Sequence, residues 1–212
     1  MSEYGYIPES PAQSVKNNKG IFTTNDIYDL VTQDKWLTFG QLELIDTQSV
    51  TSSTASIIFS DIKEDIYDVH FVTWNNFQST VANKRLVMRF YESGTEESAS
   101  VYQWSYQTMG VDFEGENQTT SDSSIFLGTN TTTTSAQSDS GYVYIYNAGD
   151  STKYTFTSSH ATGLYQSGPH LRNHFGGAAL PQTSVVDQFK FFSTATSNIE
   201  HVVMSLYGIR YS

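Results

Sequence analysis

The sequence predicts an all-β fold, a jelly-roll-like antiparallel β-sandwich that follows an extended N-terminal arm and one short helix. From Phe39 onward, apolar residues recur at every second position, as they do in strands with one buried face. Turn-forming residues such as Ser93-Gly94 and Ser167-Gly168-Pro169 separate these runs at short intervals, which is typical of sandwiches. We therefore divide the chain into an arm and helix, residues 1–38, and a β-sandwich domain, residues 39–212.

The N-terminal region combines an extended segment with the predicted helix. Proline at two positions disfavours helix over residues 1–24, whereas Ile27, Leu30 and Val31 repeat at helical spacing within residues 25–36. Thr24 or Asn25 can cap this helix. One such helix cannot form its own core, so we expect the arm and helix to serve assembly. The assembly residues predicted on this basis are Tyr4, Tyr6, Ile7, Phe22, Ile27, Leu30 and Trp36.

Eleven strands are predicted from the alternation and the turns between them. They are Gln41–Gln48, Ala55–Phe59, Tyr67–Trp74, Lys84–Glu92, Ala99–Tyr106, Ser124–Leu127, Gly141–Asn147, Lys153–His160, His170–Ala179, Val185–Ser193 and His201–Tyr211. The threonine-rich segment Gly128–Ser140 is expected to be a long exposed loop. Val202, Met204 and Leu206 share one strand face, and Gly208 interrupts the phase as a bulge would.

One predicted strand has aromatic residues at alternate positions. Tyr142, Tyr144 and Tyr146 alternate with Val143 and Ile145, so either set could face the core. Whichever set points outward forms a stripe that favours contact between subunits.

Composition excludes several classes of function. The formal net charge of −11 argues against nucleic acid and anionic membranes as partners, since phosphate binding needs Lys and Arg. Without cysteine, the chain has no disulfide, thiolate metal site or Cys nucleophile. Charged residues make up 16% of the chain against roughly 25% in typical domains, which favours a protein held in a permanent assembly. No cofactor motif occurs, and membrane insertion is not expected. Since residues 1–14 do not resemble a signal peptide, we expect synthesis in a host cytoplasm.

Candidate catalytic and metal-binding residues have simpler interpretations. Asp112, Glu114 and Glu116 alternate and could place the paired carboxylates of a glycosidase on one face, but a solvated acidic loop is the simpler interpretation. His170 and His174 have the spacing of a zinc pair on a helix, whereas their surroundings indicate a strand or loop. We therefore predict no metal site and no enzymatic activity.

Aromatic side chains are the best candidates for contact with a ligand. Their faces stack on sugar rings and also anchor protein interfaces. The predicted ligand-binding residues are Trp74, Trp104, Tyr165, His170 and His174.

Several segments resemble small structural proteins of marine tailed bacteriophages. They are GYIPESPAQS (5–14), NKGIF (18–22), FGQLELI (39–45), GYVYIYN (141–147), ALPQT (179–183) and SLYGIRYS (205–212). The resemblance implies a virion component with a jelly-roll-like domain, either a tail-fibre protein or a capsid-associated one. It brings no catalytic residue with it.

Two functions are expected for this chain. The first is a non-enzymatic virion structural protein, a tail-fibre or head-decorating component, that assembles through its arm with copies of itself and with other virion proteins. A trimer is expected by analogy with phage attachment proteins. The alternative is a host-attachment module at a fibre tip that binds a host surface glycan.

Overall fold

The structure is a computed structural model that describes residues 23–32, 42–165, 170–195 and 197–209. The chain divides into two compact units, Met1–Gln41 and Leu42–Ser212. The predicted arm, residues 1–22, lies outside the described residues.

Within the first unit, a single helix is described, α1 (Thr24–Thr32). The backbone N–H of Asp26 donates to Thr23 Oγ1 at 3.2 Å, and the N–H of Thr23 donates to Asp26 Oδ2 at 2.8 Å. This reciprocal pair is a capping box, which satisfies N–H groups at the helix start. Thr23 therefore caps the helix, and the expectation that Thr24 or Asn25 does so is wrong.

The described part of the second unit consists mainly of antiparallel strands. They are β1 (Leu42–Val50), β2 (Ser56–Phe59), β3 (Val69–Ser79), β4 (Leu86–Glu92), β5 (Thr95–Glu96), β6 (Tyr102–Gly110), β7 (Glu114–Asp122), β8 (Ile125–Phe126), β9 (Asp139–Tyr146), β10 (Thr155–Tyr165), β11 (His170–Leu180), β12 (Val186–Ser193) and β13 (Ile199–Ile209). A short 3-10 helix, Ser135–Gln137, precedes β9.

The strands form two sheets. The larger has the order β1-β13-β3-β9-β10-β11-β6-β7, and the smaller has the order β2-β12-β4-β5, with β8 also paired to β4. When the hairpin β10–β11 and the insertion β5–β7 are set aside, eight strands remain. Numbered along the chain, they are ordered 1-8-3-6 in one sheet and 2-7-4-5 in the other, which is the order of a jelly roll. The predicted all-β sandwich is confirmed.

The core lies between the inward faces of the two sheets. Val202, Met204 and Leu206 are fully buried, as predicted, and pack in one cluster with Phe189 and Phe191 of β12. On β9, Val143 and Ile145 are also fully buried, so its tyrosines point outward. Register accounts for this, because alternate residues of a strand lie on opposite faces.

The strands β10, β11, β6 and β7 continue the larger sheet beyond the eight jelly-roll strands. Their inward face is packed, because Trp104 stacks on Phe126 with ring centroids 4.8 Å apart and on Tyr106 at 5.2 Å. Arg85 Nη1 donates to the Tyr106 hydroxyl at 2.7 Å. The insertion is therefore joined to the sandwich on one face and leaves the other face open.

Three local predictions are wrong. The segment 128–140 is not an exposed loop, since Thr129, Thr131 and Thr132 are buried. The acidic segment with Glu114 and Glu116, which the sequence predicts to be a solvated loop, forms β7 and pairs with β6 at the sheet edge. No bulge occurs at Gly208, which continues the pairing of β13 with β1 and β3. Glycine is required there because a Cβ would lie 2.3 Å from Cγ of Tyr67.

A buried carboxylate holds the start of β9. Asp139 is fully buried and accepts three hydrogen bonds: from Trp74 Nε1 at 2.7 Å, from Thr129 N at 2.7 Å and from Thr129 Oγ1 at 2.8 Å. Burial raises the pKa of Asp139 to about 6, against the opposing effect of these donors. The three bonds fasten the threonine-rich segment and β3 to the first residue of β9.

Replacing Trp74 by Phe removes one donor from this carboxylate and leaves a small cavity. We expect the free energy of unfolding to fall by about 3 kcal/mol at pH 7.5. The loss should be smaller at pH 5. Because the pKa of Asp139 is raised to about 6, this carboxyl is mostly protonated in the folded protein at pH 5, and a neutral carboxyl depends less on the donor that the substitution removes. Urea unfolding at the two pH values measures both effects.

The matched control is Trp104→Phe. Trp104 is also buried, but its Nε1 donates to the half-buried Asp122 at 3.2 Å. Trp104→Phe should lower the free energy of unfolding by less than Trp74→Phe does, and by the same amount at the two pH values. Equal losses from Trp74→Phe and Trp104→Phe at both pH values would contradict the role given to Asp139.

Candidate interaction surface

The outward faces of the two sheets differ in charge. On the smaller sheet, Glu96 accepts from Arg89 at 2.8 Å and from Lys190 at 2.7 Å. Both cations lie over the ring of Phe192, with centroid distances of 4.9 Å and 5.4 Å. Ion pairs therefore cover this face.

The outward face of the larger sheet is depleted in charge over seven of its strands, with the exposed Glu200 near the start of β13. We call this surface the open face. It consists of Leu42, Leu44, Thr47, Ser49, Val203, Ser205, Tyr207, Ile209, Phe71, Thr73, Asn75, Tyr142, Tyr144, Tyr146, Phe156, Ser158, His160, Thr162, Leu164, Leu171, Asn173, Phe175, Gly177, Ala179, Gln103, Ser105, Gln107 and Met109. Charged side chains begin at its border, with Glu114 and Glu116 on β7.

Aromatic rings are in contact across the centre of the open face. We define the tyrosine band as Phe71, Tyr142, Tyr144, Tyr146 and Tyr207. Phe71 lies 4.6 Å from Tyr144, 5.7 Å from Tyr142 and 6.1 Å from Tyr207, measured between ring centroids. Because the rings support one another across three strands, they form a rigid apolar surface that is already ordered before any partner binds.

The half of the open face on β1, β13, β3 and β9 is large enough for a specific contact. Four strands spaced by about 4.8 Å, with three or four outward residues each, cover on the order of 500 Å². Two such surfaces would bury about 1,000 Å², which is the lower bound for a specific interface. Leu44 is 60% exposed at its edge.

Of the predicted assembly residues, only two lie among the described residues. Leu30 of α1 is buried and Ile27 is half-buried. Tyr4, Tyr6, Ile7, Phe22 and Trp36 lie outside the described residues.

The prediction of ligand contacts is wrong for three residues. Trp74 is fully buried and bonded to Asp139, Trp104 is stacked between two rings, and His174 is 1% exposed with its ring 4.1 Å from that of Tyr106. Aromatic faces that could stack on sugar rings were the basis of this prediction, whereas these side chains pack on the inward face. Their side chains therefore belong to the packed interior.

The other two predicted ligand residues are brought together. Tyr165 and His170 are register partners at the end of the β10–β11 hairpin. Asp112 accepts from His170 Nδ1 at 3.0 Å and from Arg172 Nη2 at 3.1 Å, and the Arg172 guanidinium lies 3.5 Å from the centroid of the Tyr165 ring. The cluster joins the tip of this hairpin to the β6–β7 turn.

The three acidic residues considered for catalysis do not converge. The hydrogen bond from Arg172 holds the pKa of Asp112 below its usual value, so this carboxyl is not suited to act as a general acid. Glu114 and Glu116 lie exposed on the outward face of β7. Within the described ranges, no group of three His, Asp or Glu side chains could hold a metal ion. No described helix is long and apolar enough to cross a membrane.

Two buried histidines form no ion pair with another described residue. Burial lowers the pKa of His70 to about 4 and that of His174 to about 3. Nε2 of His70 bonds the Ile62 carbonyl at 2.7 Å, while Nε2 of His174 has no hydrogen-bond partner among the described residues. Both rings are therefore neutral at pH 7, and their protonation opposes folding.

Comparison with family models, with curated proteins and with solved structures finds no match to this chain. A functional proposal therefore depends on the fold and on the chemistry of its surfaces.

The buried histidines predict loss of stability in acid. A histidine whose pKa is lowered by folding stabilises the protein at any pH above about 6.5, which is its pKa in the unfolded chain. This stability is lost as the pH falls from there towards the pKa of the folded state. Asp139 acts in the opposite sense between about 6 and 3.8 and offsets part of the loss. His174→Phe removes one titration and one unpartnered nitrogen. Between pH 7 and pH 4, wild type should lose about 3 kcal/mol more than this variant in urea unfolding. Parallel stability curves for the two proteins would contradict this assignment.

Proposed function

We propose that this chain is a non-enzymatic structural protein of a bacteriophage particle, whose jelly-roll unit assembles with further copies through the tyrosine band. The observation that carries the proposal is an uncharged aromatic face on a chain whose net charge is −11. Depletion of charge together with enrichment in aromatic residues is the composition of an interface core. Jelly rolls are a recurrent architecture of capsid proteins, which supports the proposal at the level of fold.

The occupant that fits the band is a second copy of the chain. Two copies with eleven excess negative charges each repel one another, so their contact should use a surface without carboxylates. Apart from Glu200 near the start of β13, the half of the face on β1, β13, β3 and β9 satisfies this condition, and its area is close to the required one. Assembly as a trimer, position on a head or a tail, and synthesis in the host cytoplasm remain predictions.

The first unit is proposed to attach the protein to its neighbours in the particle. The core cluster of the second unit is built from residues between Val50 and Leu206. The second unit thus contains a complete hydrophobic core of its own, and the arm and helix can be assigned to attachment.

A charge placed in the band should break the contact between copies. We expect Tyr144→Glu to weaken self-association about 100-fold, since it removes a central aromatic residue and adds repulsion to an acidic protein. Sedimentation equilibrium over a concentration series measures this effect. The control is Val81→Glu, which adds the same charge at an apolar residue, 45% exposed, in the β3–β4 loop. Wild type that stays monomeric, or equal weakening by both variants, would contradict the proposal.

Removal of residues 1–24 tests attachment separately. The truncated chain should unfold at the same urea concentration as wild type, because the core of the second unit is intact. It should be missing from purified particles when supplied in place of the full chain. Quantitative mass spectrometry of particles, with tagged full-length chain as the control, gives the result. Normal incorporation of the truncated chain would refute the role of the arm.

A further inference from the structure

The second half of the open face contains a long depression. Two hollows of about 810 Å³ and 740 Å³ lie side by side on β10, β11, β6 and β7. They share Ser105, Gln118 and Gly177, so they form one continuous trough. Register explains the shared residues, because Gly177 pairs with Ser105 and Ser105 pairs with Gln118.

Small residues form the floor of the trough and aromatic residues form its walls. Gly177 and Ala179 lie on the floor, Phe175 precedes them on the same face of β11, and Phe156 on β10 is the register partner of Ala179; the two phenylalanines are 42% and 45% exposed. Phe175 and Ala179 are four residues apart on β11, which is about 13 Å along the strand. This spacing leaves room for one flat ring against each aromatic wall.

The ring of Phe175 is held in place. It stacks on His160 with 4.3 Å between centroids and 8° between planes. Since His160 is on β10, the uncovered face of Phe175 points toward β6, where the second hollow lies. A fixed aromatic face beside polar side chains is a suitable platform for the apolar face of a pyranose ring.

The polar side chains around the trough are neutral amides and hydroxyls. The side-chain amides of Gln103 and Gln118 make no hydrogen bond to any other described residue, and Gln107 Nε2 makes only a long one of 3.4 Å to Glu114. An amide both donates and accepts, as does each sugar hydroxyl, so the two match without ionisation. Glu116 is the charged residue of the trough, and no Lys or Arg lines it.

We propose that this trough binds a neutral extended oligosaccharide, stacked on Phe175 and Phe156 and hydrogen-bonded by the glutamine amides. Anionic ligands are disfavoured because the lining has a carboxylate and no cation. The polar lining and open shape do not suit a lipid chain. The site uses strands other than those of the tyrosine band, so it goes beyond assembly and does not depend on it.

The direct test uses the full-length chain and defined sugars. Cellohexaose, laminarihexaose, maltohexaose and mannohexaose are titrated by isothermal calorimetry, with hexagalacturonate as the anionic comparison. We expect at least one neutral hexasaccharide to bind with Kd below about 1 mM and hexagalacturonate not to bind. Absence of binding by all four neutral sugars at concentrations up to about 10 mM, ten times that Kd, would overturn the proposal.

Variants locate the site. Phe175→Ala should weaken binding at least 10-fold, Phe175→Tyr should retain it, and Gly177→Gln should abolish it by filling the floor. At Gly177 an added Cβ would lie 3.1 Å from the Thr157 carbonyl oxygen, a tight contact that the strands must relieve by a small shift, so urea unfolding is used to check that this variant folds like wild type. The control is Met109→Ala, an outward residue of β6 outside the trough, 49% exposed, which should bind like wild type.

Two outcomes separate this inference from the proposed assembly. Tyr144→Glu should change the oligomeric state and leave sugar binding intact. If Gly177→Gln instead dissociates the oligomer, or if Met109→Ala weakens binding as much as Phe175→Ala, the trough is not a sugar site.

Discussion

The register of β9 is the constraint on which both faces of the larger sheet depend. A shift by one residue would turn Val143 and Ile145 outward and bury three tyrosines. Two features oppose such a shift. Asp139 binds Trp74 and Thr129 at the start of the strand, and at Gly141 a Cβ would lie 2.3 Å from the His160 carbonyl oxygen. A costly buried carboxylate thus fixes which side chains reach solvent.

Charge is distributed unevenly over the described surfaces. Ion pairs cover the smaller sheet, acidic residues lie along the border and loops, and the open face is left with aromatic, hydroxyl and amide side chains. A partly exposed aromatic band reduces solubility unless a partner covers it, while a net charge of −11 opposes nonspecific association. The combination is consistent with selective contact through one uncharged face.

Much of the fold could be predicted from the sequence, because period-two alternation marks strands that have one apolar face. The prediction missed β7 because its residues are polar throughout and its place is set by pairing with β6. It also missed the burial of Thr129 and Thr131, which depends on hydrogen bonds to Asp139 and to Lys84. Trp74 and Trp104 were misassigned because their type does not say which face they occupy. The trough could not be predicted, since it requires the register between β6 and β11, strands separated by about 70 residues.

Footprinting of tyrosine side chains in the assembled protein tests the central claim most directly. Hydroxyl-radical modification, read by mass spectrometry, is compared between assembled and dilute monomeric protein. The account predicts that Tyr142 and Tyr144 are protected in the assembly, while Tyr91, on the outward face of the smaller sheet, is modified equally in both states. Equal modification of Tyr142 and Tyr144 in the two states would contradict it.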